Sequence, residues 1–208
     1  MPNETFKFSN YLEPKEVRAV INAIADVSRH SDRDTLLVEL LWQSGARVSE
    51  AIMLVPERIG MTSIILSNLK QSDPNATKEV EVSEFLCQQL KDFCNHNRVD
   101  VSEWVFFGSR SREKHLTRQY VHEIITKASE AAKVYRFGKK NPRTGGRFKG
   151  ISPHVLRHSA AMHLLEETND ITLVKEHLGH SDTKTTKKYV QVKEGVKRLV
   201  SKIGKEVK

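Results

Sequence analysis

Apolar residues recur at helical spacing along most of the chain. Pro14 suits a first helical turn, and Val17, Val20, Ile21 and Ile24 follow on one side. Leu36, Leu37, Val38, Leu40, Leu41 and Trp42 are so dense that the helix over about 35–42 is apolar nearly all round. Such a helix belongs at the centre of a core, and Asp32 or Asp34 is placed to cap it. Gly45 ends it, and a short apolar helix follows Arg47. Ser83 and Glu84 open a helix with Leu86, Leu90, Phe93 and Cys94 on one face. Thr117 caps another, carrying Tyr120, Val121, Ile124, Ile125, Ala128, Ala131 and Ala132. Ser152 as cap and Pro153 at the first position start a helix whose buried side is Ala160, Ala161, Leu164 and Leu165. After an Asn169-Asp170 turn, a short helix over Ile171 to Leu178 stops at Gly179, and Ser181 or Asp182 caps the next.

The period changes to two between Met61 and Ser83. MTSIILSNLK reads as a strand, QSDPNA as a turn and KEVEVS as the returning strand. Lys70 and Lys78 fall at the loop end of this hairpin. Trp104 to Phe107 is a brief strand or core plug. The pattern predicts a mainly α fold with a small antiparallel hairpin or three-stranded sheet (α+β). The expected organisation is a leader over 1–11, one domain over 12–192 and a basic tail over 193–208. Val192, Val196, Leu199, Val200 and Ile203 recur at helical spacing in and just before that tail, a face that could pack on its own domain or on another copy.

Charge narrows the classes. The 208 residues carry a net charge of +8, which fits a polyanionic partner. Residues 133–150 concentrate that charge: seven Lys or Arg, no acid, four Gly and three aromatics. A basic, Gly-rich stretch with interleaved aromatics suits contact with a phosphate backbone, and Lys139, Lys140, Arg143, Arg147 and Lys149 are its candidate DNA contacts. No apolar run reaches the roughly 18 residues of a membrane span, and the N-terminus lacks a secretory pattern. Cys87 and Cys94 lie seven apart in a helical pattern, roughly 10 Å along the axis and too far for a disulfide. They read as core residues of a reduced, cytoplasmic protein.

Four segments bring chemistry. Arg47 follows a buried helix in SGARVSE, with Glu50 one turn later on the same face. His154 and Arg157 are three apart in HVLRH, at a helix start that itself favours an anion. His180 and Tyr189 lie in LGHSDTKTTKKY, and the hairpin offers lysines. Arginine forks match phosphate oxygens, histidines move protons near neutrality, a lysine can protonate a leaving oxygen, and a tyrosine can attack phosphorus. Together these tools make a phosphoryl-transfer site without a metal. A metal site is the competing assignment: His154 with His158, and His177 with His180, have ligand-like spacings. No acidic partner of the H-E-x-x-H kind accompanies them, and no cysteine lies nearby.

These segments, in this order, resemble the tyrosine recombinase (phage integrase) family. Its pattern is an arginine in a Gly-x-Arg turn, a hairpin lysine, a His-x-x-Arg, a Leu-Gly-His and a tyrosine nine residues past that histidine. Arg47, Lys70, His154 with Arg157, His180 and Tyr189 match it across residues 12 to about 192. The resemblance implies the family's catalytic-domain fold and site-specific DNA recombination, whether integration, excision, inversion or resolution. Tyr189 would form a 3′-phosphotyrosyl link and free a 5′-hydroxyl. Arg47 and Arg157 would hold the non-bridging oxygens, Lys70 would protonate the leaving oxygen, and His154 would assist proton transfer. His180 would hydrogen-bond the phosphate, and Glu50 would orient Arg47 and His154. Lys78, across the same hairpin, is the other candidate for the lysine. The resemblance implies double-stranded DNA as partner, a homotetramer in synapsis with the C-terminal segment docked on a neighbour, and no cofactor. The family's N-terminal clamping domain has no counterpart in these residues, as in short single-domain recombinases or a catalytic fragment. A type IB topoisomerase-like nicking-closing enzyme would share the chemistry without strand exchange.

Overall fold

The computed structural model describes residues 11–69, 76–108, 111–137 and 148–178, without the side chains of residues 136, 137, 148 and 149. The long apolar helix is central. It is α3 (Ser31–Ser44), which packs against α1 (Pro14–Asn22), α2 (Ile24–Val27), α5 (Glu84–His96) and α7 (Pro153–Thr168). Leu37, Val38, Leu40, Leu41 and Trp42 are all within 1% of complete burial, as the all-round apolar pattern requires. α6 (Arg118–Ala131) lies on α1, α2 and α7 and turns Val121, Ile125 and Ala128 inward.

The expected caps are partly corrected. Asp32 and Asp34 lie in the first turn of α3, which begins after His30. Asp34 is fully buried instead, accepting hydrogen bonds from Arg33, Ser28 and Tyr120. Arg33 also donates to the Phe107 carbonyl, so the pair stitches α3 to α6 and to the segment before it. A buried charge survives here because every formal charge is met. Ser152 precedes α7 with an extended backbone, but its side chain makes no capping bond. Ser83 and Thr117 cap α5 and α6 as expected, accepting from Leu86 N–H and Tyr120 N–H. Val105 and Phe106 are fully buried, the core plug of the sequence pattern.

The hairpin forms from β1 (Ser63–Ser67) and β2 (Thr77–Glu81) in antiparallel register, Leu66 opposite Lys78 and Ile64 opposite Val80. A third strand is reduced to one bridge, Ile59 to Ile64. A second ladder joins β3 (Arg136–Phe137) to β4 (Phe148–Lys149), so the two ends of the basic stretch are paired just before α7. Gly150 then passes α6 closely: a Cβ there would lie 2.7 Å from Thr126 Cγ2 and 2.9 Å from Ser129 Oγ. α8 (Ile171–His177) follows the left-handed Asn169 and is capped by Asp170. It packs on α7 through Leu164, Val174 and Leu178. No helix among the described residues is long and apolar enough to cross a membrane. Cys87 and Cys94 are free and buried, and burial pushes both thiols up to about 11.

Candidate functional site

The site begins where α3 ends. Gly45 adopts a left-handed conformation, the usual helix terminator for a residue without Cβ. Its geometry has two consequences. The Gly45 carbonyl accepts a hydrogen bond from Arg157 Nη1. The missing Cβ leaves room for Leu178, whose Cδ2 lies 2.5 Å from where a Cβ would stand. The chain then enters the short α4 (Val48–Ala51) with Arg47 at its start.

Glu50 is the centre of the cluster, with no exposed surface. Its Oε1 accepts from Arg47 Nη1 at 2.7 Å, and its Oε2 accepts from the Arg47 backbone N–H at 3.1 Å. Lys78 Nζ reaches the same Oε2 at 2.8 Å. Burial alone would raise the Glu50 pKa; hydrogen bonds and charge from Lys78 and Arg47 outweigh it and hold the carboxyl below 4.5. Lys78 is pushed below its ordinary value, first by burial and then by the charges of Arg157 and Arg47, against the opposing pull of Glu50. Arg157 is shifted down by burial and by Arg47.

The second acceptor is the Leu178 carbonyl. Arg157 Nη2 donates to it at 3.3 Å, and Lys78 Nζ at 3.4 Å. Three cations from α4, β2 and α7 therefore converge on one carboxylate and two backbone carbonyls. The surplus positive charge suits a dianionic or monoanionic phosphate group.

The expected residues are distributed as follows. Arg47, Glu50 and Arg157 come together. His154 is on the same α7 as Arg157 but exposed, and Glu50 makes no hydrogen bond to it among the described residues; its partners are Arg47 and Lys78. Lys70, His180, Tyr189, Lys139, Lys140, Arg143 and Arg147 lie outside the described residues, and the Lys149 side chain is not described. Lys78 is not at the hairpin tip. It sits within the ladder opposite Leu66, with its side chain 8% exposed. The alternation Lys78, Val80, Val82 carried that signal, because alternate residues share a sheet face and both valines are buried.

Sequence reasoning also missed His177 as a core group. It is buried and hydrogen-bonds the Gln43 carbonyl through Nε2 at 3.1 Å, which ties it to the end of α3. Burial is the first cause that lowers its pKa from 6.5 to about 4, and the charges of Lys78 and Arg157 add to it. The unfolded chain takes up a proton that the folded chain refuses, so stability is complete above 6.5 and is lost as pH falls toward 4. Acidification from pH 7 to pH 5 is expected to cost roughly 2 kcal/mol through this residue. Urea midpoints at the two pH values, for this chain and for His177→Leu, isolate the effect: the variant should lose that part of the pH dependence.

Residues 10–195 match the phage integrase family. The chain belongs to that family. It is 33% identical over 189 residues to the tyrosine recombinase XerD of Corynebacterium glutamicum, covering 87% of this chain and 56% of that protein. Against the tyrosine recombinase XerA of Pyrococcus furiosus it is 31% identical over 192 residues, covering 90% and 60% respectively. The fold is that of the XerH site-specific recombinase in its pre-cleavage complex with difH, with a TM-score of 0.66 at 18% identity over 97% of this chain and 52% of that one. A crystal structure of XerA recombinase gives a TM-score of 0.63 at 20% identity, over 99% of this chain and 64% of that one. The chain spans 55–61% of the length of the three curated relatives that match it first.

Proposed function

We propose that this chain is the catalytic part of a site-specific DNA recombinase that cuts and rejoins strands through a 3′-phosphotyrosyl intermediate. The observation that carries the reading is the convergence of Arg47 and Lys78 on the buried carboxylate of Glu50, with Arg157 joined to Lys78 through the Leu178 carbonyl. Such a cluster can hold a phosphodiester and take up the charge that grows on its non-bridging oxygens in attack. Arg47 and Arg157 are the clamp. The Tyr189 hydroxyl attacks phosphorus; its proton leaves with help from His154. The P–O5′ bond breaks, and Lys70 gives a proton to the departing 5′ oxygen. His180 supports the phosphate. The phosphotyrosyl bond keeps the energy of the broken linkage, so a second 5′-hydroxyl can reverse the step without ATP. The partners are duplex DNA and further copies of the chain in a synaptic tetramer, in the cytoplasm. XerH was crystallised on difH and lambda integrase as a tetramer on a Holliday junction. A nicking-closing topoisomerase reading has no observation in its favour.

The test is covalent trapping. The chain is incubated with a pool of nicked duplexes of random sequence, and protein–DNA adducts are recovered under denaturing conditions. An adduct peptide that carries its nucleotide on Tyr189 is the expected result; no adduct, or one on another residue, removes the reading.

The basic stretch is assigned to DNA contact, with its ends held at the start of α7 by the β3–β4 ladder. Replacing Arg143, Arg147 and Lys149 by Gln is expected to weaken binding. The slope of log K against log salt should shallow by about 0.9 for each phosphate that is no longer neutralised. A salt titration of binding to the captured duplex checks this.

A further inference from the structure

Lys78 is the cation of the cluster that the family pattern leaves as second choice to Lys70, and it joins the Glu50 carboxylate to the Leu178 carbonyl. We infer that Lys78 is a positioning residue, which sets Arg47 through the Glu50 carboxylate and sets the chain after Arg157 through the Leu178 carbonyl. The inference rests on the recombinase reading above. Its observations are independent of the tyrosine.

Three arguments support it. The first is placement: Lys78 projects from β2 into the interior beside Val80, so its stem is held by the ladder and its ammonium cannot range freely. The second is commitment: of its three N–H donors, one meets Glu50 Oε2 at 2.8 Å and one meets the Leu178 carbonyl at 3.4 Å. The third is sharing. Glu50 Oε2 also takes the Arg47 backbone N–H, and the Leu178 carbonyl also takes Arg157 Nη2. One ammonium thus fixes an acceptor of each arginine. It also ties β2 to both.

A general acid and a positioning lysine answer differently to the leaving group. If the bridging 5′ oxygen of the scissile phosphate is replaced by sulfur, the P–S bond breaks to give a thiolate. A thiolate needs no proton, so loss of an acid is repaired and loss of alignment is not. Single-turnover cleavage is measured on the duplex captured from the random pool, with oxygen and with sulfur at that position, using chains shown by circular dichroism to be folded. Lys78→Met is expected to cleave about 10²-fold slower on both substrates. Lys78→Arg, which can donate to both acceptors, should recover to within roughly 10-fold of the unaltered chain. Lys70→Ala should be slow on oxygen and restored on sulfur. Combining Lys78→Met with Glu50→Gln should slow cleavage by less than the product of the single effects, because the two share the Glu50 contact while Lys78 alone also holds the Leu178 carbonyl.

Restoration of Lys78→Met by sulfur would make it the acid and overturn the inference. So would unimpaired cleavage by Lys78→Met, failure of Lys78→Arg to recover, or a double variant slowed by the product of the single effects. If the unaltered chain captures no DNA, the recombinase reading itself falls, and the role of Lys78 with it.

Discussion

Cleavage by an Arg157→Ala chain is expected to be about 10³-fold slower than by the unaltered one, while Tyr189→Phe should form no adduct at all. The reason lies in how Arg157 is held. Its Nη1 bonds the Gly45 carbonyl and its Nη2 the Leu178 carbonyl. The guanidinium is therefore oriented before any phosphate arrives, and little reorganisation is left for the moment of reaction. Alanine removes the charge and strands two carbonyls. Arg157→Lys keeps a positive charge but cannot make both bonds in one plane, so it should fall between the two. Single-turnover rates on the captured duplex, with melting curves to exclude unfolding, check the order. Equal rates for the unaltered and Ala chains would remove Arg157 from the clamp.

The second large effect is on Glu50, in both stability and rate. Glu50→Ala leaves Lys78 in a largely buried position with its carboxylate gone, and releases Arg47 from both of its bonds. Breaking such a pair from one side costs about 3–5 kcal/mol. Glu50→Gln keeps the shape and loses the charge, so it should cost less and still slow cleavage by roughly 10². The pH dependence has a defined sign. Glu50 is held below 4.5 in the folded chain, so its contribution to stability is present above pH 4.5 and is lost as pH falls below it. That window lies below the one governed by His177 and is separable from it. Denaturant midpoints from pH 3 to 7 for the three chains measure both effects.

The helices are legible in the sequence because burial imposes a period on apolar residues. α3 is legible even as the centre, since only a helix surrounded on all sides is apolar all round. Arg47, Glu50 and Arg157 are legible as a site from residue type and order. Lys78 looks like a hairpin-tip lysine in the sequence because its charge suggests solvent. The pairing register puts it on the inner face, where a carboxylate 28 residues earlier receives it. Asp34 resembles a cap for a related reason: an acid near a helix start looks like one until its partners Arg33 and Tyr120 are seen.

The sequence by itself determined the main helices and the first hairpin but not the β3–β4 pairing, that the protein carries a strong positive charge, and which residue types could act on a phosphate. Those properties are local or additive, and periodicity and composition record them directly. Only the tertiary structure decided which charges meet. Gly45, Glu50, Lys78, Arg157 and Leu178 are spread over more than 130 residues and belong to different elements. A linear pattern cannot say which buried cation will find which carboxylate, because that depends on strand register, on one left-handed glycine and on the packing of α7 and α8 against the end of α3.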